Sequence, residues 1–227
     1  MQKIEMICFA NSIKLGGRCV AGFRTDGKGW FRPVSDRTSG ELYSNDYSLS
    51  DGTTLQLLDL VKVPVIKHDP RPHQPENWLI SGDKWDLLKR PILTKYMLSL
   101  VSRNVNQGPL LFGCTSDRVS FNDLCQKPTN SSLAFVFPKE LKWSIEYNSF
   151  RDSKQTRAIF KIENQLYNLV ITDPVWRTKL QGLDIGIYEP EQLGLKQNDL
   201  IIFTLSLGEP FDGACYKLVA GVVVIQI

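Results

Sequence analysis

At 227 residues the chain has room for one large domain or two small ones. A hydrophobic fraction of 42% and a charged fraction of 22% are those of a folded globular protein and argue against disorder or low complexity. A net charge of only +3 argues against a polymer binder that works through bulk charge, so any nucleic-acid site has to be a local basic patch.

The opening segment, MQKIEMICFANSIK, lacks the apolar h-region of a secretory signal, and no apolar run approaches the ~20 residues of a membrane span. The five cysteines are odd in number and contain no C-x-x-C. Cys8, Cys19 and Cys215 sit in strand-like runs and read as buried thiols of a cytoplasmic protein. No zinc site is expected. His68 and His73, the two histidines, have the spacing of neither a helical metal pair nor a finger, so no metal and no cofactor is expected. Neither G-x-x-x-x-G-K-[ST] nor G-x-G-x-x-G occurs, which excludes a P-loop and a dinucleotide fingerprint.

In chain order, Lys3 to Ala10 reads as a short strand. Asn11 to Gly17 reads as a polar loop that either binds phosphate through Lys14 and backbone N–H groups or simply turns. Arg18 to Arg24 and Trp30 to Ser35 form a hairpin around Asp26-Gly27, which supplies the positive φ of a tight turn. Trp30 and Arg32 share one face of the second strand in a basic neighbourhood (Lys14, Arg18, Arg24, Lys28, Arg37). Pro33 cannot donate a ladder hydrogen bond and marks an edge, a bulge or the end of pairing. Leu55 to Ile66 reads as a long strand. Pro70, Pro72 and Pro75 hold Lys67 to Trp78 extended, and the polar side chains there either read a base or ribose or cap a helix starting near Asn77.

Asp83 to Asn104 reads as the main helical region, with Pro91 in a first turn and an apolar stripe of Ile92, Leu93, Tyr96, Met97, Leu100 and Val101. Gln107 to Asn130 reads as loop. Strands are expected at Leu133 to Pro138 and Leu141 to Tyr147. A hairpin follows, Arg157 to Ile162 with Gln165 to Thr172 around Glu163-Asn164, ended by Asp173-Pro174. A short helix around Trp176 precedes strands at Leu200 to Leu207 and Cys215 to Ile227, with a turn at Gly208-Glu209-Pro210. Val20-Ala21-Gly22 recurs as Val219-Ala220-Gly221. Two β-rich segments around a helical, proline-rich insert imply two small barrels, with domains at residues 1–130 and 131–227.

The motifs CFANSIKLGGRCVAGF, GKGWFRPVS, LLDLVKVPV, HQPENW, YNLVITDP and CYKLVAGVV, in this order from about Cys8 to Val224, resemble the dual OB-containing domain family. That resemblance implies two tandem OB folds, a prokaryotic protein, nucleic-acid binding and a defence context. It supplies no catalytic residue.

The fold class expected is therefore mainly β with a helical insert, two OB-like β-barrels in tandem. The function expected is non-catalytic binding of nucleic acid, DNA or RNA, in single-stranded form. The binding residues expected are Lys14, Arg18, Arg24, Trp30, Arg32 and Ser35 of the first hairpin region, His73, Gln74, Glu76, Asn77 and Trp78 of the proline-rich segment, and Arg157. Arg157 belongs to a second basic stretch with Arg151, Lys154 and Lys161. Trp30 stacks on a base if its face points outward, and Phe31 replaces it if Trp30 points inward. On this reading Arg32→Ala and Arg18→Ala weaken binding and leave the fold intact. One alternative is an enzyme that processes a nucleotide or nucleic acid with the His73–Asn77 cluster, assisted by Asp59 or Asp173. A second is a protein-interaction adaptor within a larger complex. No membrane partner is expected.

Overall fold

The computed structural model describes residues 2–91, 95–149 and 152–226. Ile92, Leu93, Arg151 and Ile227, named above, lie outside the described residues.

The N-terminal sheet contains β1 (Gln2–Lys14), β2 (Gly17–Arg24), β3 (Trp30–Val34), β4 (Leu60–His68), β5 (Asn77–Ile80) and β6 (Asp86–Lys89). Its order is β1-β2-β3-β5-β4, and β4 returns to pair with β1, so five strands close on themselves while β6 lies against β4. The β3–β5 pairing is parallel and its neighbours are antiparallel, which is the winding of an OB barrel.

The connection contains α1 (Lys95–Asn104), β7 (Arg118–Ser120) and α2 (Phe121–Gln126). The C-terminal sheet follows with β8 (Leu133–Val136), β9 (Lys139–Asn148), β10 (Ser153–Ile162), β11 (Gln165–Ile171), α3 (Pro174–Gln181), β12 (Gly186–Tyr188), β13 (Leu200–Phe211) and β14 (Ala214–Ile225). The path β9-β10-β11-β14-β13 repeats the winding of the first barrel, again with a parallel pairing, β11 to β14. β8 then pairs with β13 and β9 with β10. Only Phe137 and Pro138 separate β8 from β9, so a strand broken at a proline does in the second barrel what β1 does in the first. The fold is mainly β, two OB-like units in tandem, as expected.

Each local departure from expectation has a tertiary cause. β1 runs through the expected loop to Lys14, because its residues pair with β2 up to Lys14–Gly17 and the turn is only Leu15-Gly16, both at positive φ. The long strand expected from Leu55 begins at Leu60, because Leu58 has a positive φ and Asp59 turns inward. Asn77 opens strand β5, not a helix, because this segment supplies the closing partner of β3 and β4. Residues 86–89 likewise pair with β4, so the described part of the expected helix is confined to Lys95–Asn104. The loop expected at Gln107 to Asn130 contains β7, which pairs with β14, and α2. The expected turn at Gly208-Glu209-Pro210 lies inside β13, as a bulge opposite β14. Pro33 stands just beyond the last β2 pairing, at Phe31.

β1 explains how the barrels join. Ile4, Met6 and Cys8 face the interior of the first barrel, and Ile7 and Phe9 face the other way. That outer face meets Phe135, Ile202 and Val223 of the second barrel and Met97, Leu100 and Val101 of α1. Phe135 stands 4.7 Å from Phe9 and 4.4 Å from Trp30 between ring centroids. A strand buried on both faces reads as an unbroken apolar run, which is what ICFA is. The recurrent Val-Ala-Gly does not mark equivalent strands, since β2 is second in its barrel and β14 fifth. Its small residues lie where the barrels touch, with Ala10, Ala21 and Ala220 in one cluster. A Cβ on Gly221 would stand 2.1 Å from the Phe9 carbonyl oxygen.

Asp173 ends β11 and caps α3, accepting from the N–H groups of Val175 and Trp176 with one oxygen and from Val222 of β14 with the other. Burial raises its pKa, against these hydrogen bonds.

Gly221→Ala tests the contact between barrels. It is expected to cost at least about 1–3 kcal/mol, the usual range for overpacking, because the atom it meets is backbone. Urea unfolding should show a lower midpoint.

Candidate functional site

Arg32 stands on β3, where the hairpin places it, but its guanidinium enters the junction of the barrels. The residue is 1% exposed. Nη2 donates to Glu76 Oε1 at 3.3 Å, to Ser132 Oγ at 2.8 Å and to Ser206 Oγ at 3.1 Å, and Nη1 lies 2.7 Å from Cys19 Sγ. Glu76 in turn accepts from the Ser132 hydroxyl and, at 3.2 Å, from its backbone N–H. Ser132 and Ser206 belong to the second barrel, so one buried ion pair from the first is hydrogen-bonded across the junction. The expected open face is therefore an internal one. Trp30 packs on Phe9, Phe23 and Phe135, and its remaining edge opens on a depression of about 460 Å³ beside Arg103 and Ser131. Phe31 is fully buried, so neither ring of the expected pair offers an open stacking face.

The other expected residues divide in the same manner. Arg24 is buried and forms a bidentate pair with Asp26, and Ser35 is buried and donates to the Glu41 carbonyl. Arg18 is half-buried, with Nη1 unpartnered among the described residues. Gln74 donates to the Leu207 carbonyl across the junction, and Asn77 donates to Gln74. Trp78 packs against His68. His73 is 4% exposed and meets Glu209 of β13. Asp59 is held by Arg90 and the Gln56 N–H, and Asp173 is the helix cap, so both carboxylates considered for acid–base work are engaged in the fold. Among the described residues no cluster of three or more His, Cys, Asp or Glu could hold a metal ion.

A cavity of about 690 Å³ forms a cleft between the barrels. The end of β1 (Ser12 to Leu15) forms one wall. β10 and β11 form the floor, with Lys154, Gln155, Arg157 and Asn168, and the β13–β14 hairpin forms the opposite wall. Lys14, Arg32, Gln74 and Arg157 are the expected residues that reach it. Its charged lining is Lys14, Arg32, Lys154, Arg157, Arg177 and Lys217 against Asp117 and Glu209, a marked local excess in a chain of net charge +3. Arg157 is fixed by Asn168 and Gln155, while the Arg177 side chain makes no hydrogen bond or ion pair among the described residues. Phe211, 62% exposed, stands at the rim.

Sequence reasoning passed over Arg177, Phe211, Lys217 and Glu209 as site residues. Lys217 carried a signal, a lone lysine in an apolar strand. It is 1% exposed, donates to the Cys114 carbonyl at 2.8 Å, and lies 3.3 Å from Cys114 Sγ. Burial lowers the pKa of its ammonium. For the Cys114 thiol, burial opposes ionisation, but the Ser116 hydrogen bond and Lys217 together bring its pKa below the usual value. All five cysteines are free; Cys8 and Cys215 are buried as expected, and Cys19 is half-buried.

Glu209 projects from the β13 bulge into a cluster of first-barrel side chains. Oε1 meets Lys14 Nζ at 2.8 Å, and Oε2 meets His73 Nε2 at 3.0 Å and Arg71 Nη1 at 3.7 Å. Burial alone would raise its pKa, but the His73 hydrogen bond and the Lys14 charge outweigh that and hold it at about 2.

Two outcomes follow from this geometry. Arg32→Ala leaves the buried Glu76 carboxylate without its cation, and is expected to cost about 3–5 kcal/mol in chemical denaturation, not to leave the fold untouched. The depressed pKa of Glu209 contributes stability that is present above the ordinary carboxylate range and lost as pH falls from about 4.5 toward 2. Urea unfolding of wild type and Glu209→Gln should therefore differ most near neutrality and converge through that window.

Among the described residues no helix is long and apolar enough to cross a membrane. A comparison with curated proteins finds no match. The profile of the dual OB-containing domain matches residues 4–222. Covering both barrels and the junction between them, this match together with the paired OB windings shows that the chain belongs to the dual OB-containing domain family.

Proposed function

We propose that the chain is a non-catalytic module for single-stranded nucleic acid, and that the strand lies in the cleft between the barrels. The observation that carries this reading is the local charge: four half-buried basic side chains, Lys14, Lys154, Arg157 and Arg177, reach the cleft around its β10–β11 floor, against Asp117 and Glu209, while Arg32 and Lys217 are buried in its walls. These are the second and third strands of the second barrel, the face on which OB folds accept oligonucleotides. On this reading the weight of the ligand surface lies on the second barrel, at the basic stretch around Arg157, and less on the hairpin of the first. Lys154, Arg157 and Arg177 supply phosphate contacts, and Phe211 supplies an exposed ring for stacking. Binding is favoured over catalysis because Glu76, Asn77, Asp59 and Asp173 are buried in hydrogen-bonded roles that hold the barrels. The prokaryotic defence setting implied by the resemblance, and the cytoplasmic location read from the cysteines, belong to this reading as its biological context.

Fluorescence anisotropy with labelled single- and double-stranded DNA and RNA across a salt series tests it. Saturable binding of single strands is expected, with log K falling by about 0.7 per decade of salt for each phosphate neutralised. Lys154→Ala and Arg177→Ala should each flatten that slope. Phe211→Ala should cost about 1–3 kcal/mol of affinity if a base stacks there. Arg103→Ala, beside the smaller depression, should change nothing. No binding at low salt would overturn the reading.

A further inference from the structure

The cluster around Glu209 contains more donors than its occupant can satisfy well. Lys14 and Arg71 bring two cationic groups and His73 an imidazole, all from the first barrel, and a single carboxylate from the second barrel faces all three, Arg71 being held meanwhile by the Thr38 carbonyl at 2.8 Å from Nη1. Its two oxygens divide unevenly: Lys14 has one to itself, while His73 and Arg71 share the other, Arg71 at the long distance of 3.7 Å. His73 Nδ1 is buried without a partner among the described residues. Lys14 and Glu209 both line the cleft, and the Glu209 side chain keeps 20% exposure, so this cluster opens toward the proposed ligand. Glu209 sits on a bulge, a device that re-aims a side chain out of the regular ladder.

We propose that this cluster is a binding site for the terminal phosphate of the strand, and that Glu209 is a resident anion which such a phosphate displaces. This rests on the nucleic-acid reading above. A phosphate monoester carries three free oxygens and up to two negative charges, one oxygen for each donor. An internal phosphodiester carries two free oxygens and one charge, no more than the carboxylate already present, and has no advantage over it. The site therefore selects ends over interior phosphates. Displacement frees Glu209 from the first barrel, so occupation of the site also releases the electrostatic tie between the β13 bulge and β1.

The test compares oligonucleotides of one sequence bearing a 5′-phosphate, a 3′-phosphate or hydroxyls at both ends, by anisotropy with wild type, Glu209→Gln and Lys14→Gln. One phosphorylated end should bind wild type about tenfold more tightly than the unphosphorylated strand, in keeping with charge-assisted hydrogen bonds. Which end does so identifies the strand's polarity in the cleft. Glu209→Gln should widen the preference and Lys14→Gln should abolish it. Equal binding of all three strands to wild type overturns the terminal-phosphate site while leaving the cleft reading in place, and this arm decides even if a variant fails to fold. If no strand binds, calorimetric titration of pyrophosphate into Glu209→Gln separates the cases. Uptake that Lys14→Gln in the same background removes keeps the phosphate site and overturns the polymer reading; no uptake overturns both.

Discussion

The Arg32–Glu76 ion pair is the constraint on which the rest of the structure depends. Two charges at 1% and 6% side-chain exposure are costly to bury, and their mutual attraction offsets that cost only if the remaining hydrogen-bonding capacity is used. Both serines that use it come from the second barrel. The pair therefore finds its partners in one docking arrangement, with Nε of Arg32 alone left without one among its guanidinium nitrogens, and a rotation of either barrel strands the whole group in the junction. The aromatic cluster of Phe9, Trp30 and Phe135 buries apolar surface at the junction, which favours association without selecting an orientation. The polar quartet selects it.

That fixed orientation is what creates the cleft. The end of β1 and the proline-rich segment from the first barrel are held opposite β10, β11 and the β13–β14 hairpin of the second. Glu209 would be an ordinary hairpin acid if the barrels were apart, and Lys14 an ordinary turn lysine. Brought together at 2.8 Å they become a partly buried pair at the mouth of a basic groove. The site belongs to neither barrel alone.

The barrels were legible in the sequence because strand alternation and turn chemistry are local. Asp26-Gly27, Glu163-Asn164 and Asp173-Pro174 each mark an end of pairing that the structure contains. The small closing strands were not legible. Asn77–Ile80 and Asp86–Lys89 are four residues each, too short to display a period, and they are strands because β3 and β4 offer partners. The site was legible in composition but not in place. The sequence places Arg32 in a basic hairpin and His73, Gln74, Glu76 and Asn77 in a separate polar constellation, yet whether such groups face solvent or another barrel is decided by partners 100 to 174 positions away, Ser132 and Ser206 for Arg32 and Glu209 for His73. Arg157 and Lys161 stand out within a basic stretch of strand, where a period of two shows which side chains share a face, and Lys154 falls on the other.

The approach of Gly221 to the Phe9 carbonyl has a consequence for how the protein can move. Where backbone rests on backbone, at Gly221, no side chain can yield, so this contact together with the Arg32 network resists the sliding and hinging open to tandem OB modules on a flexible linker. The chain is then expected to melt as one cooperative unit. A groove between such barrels has a width set at folding, and it accommodates a ligand through rotamers such as Glu209 and Phe211 instead of through closure of one domain on the other.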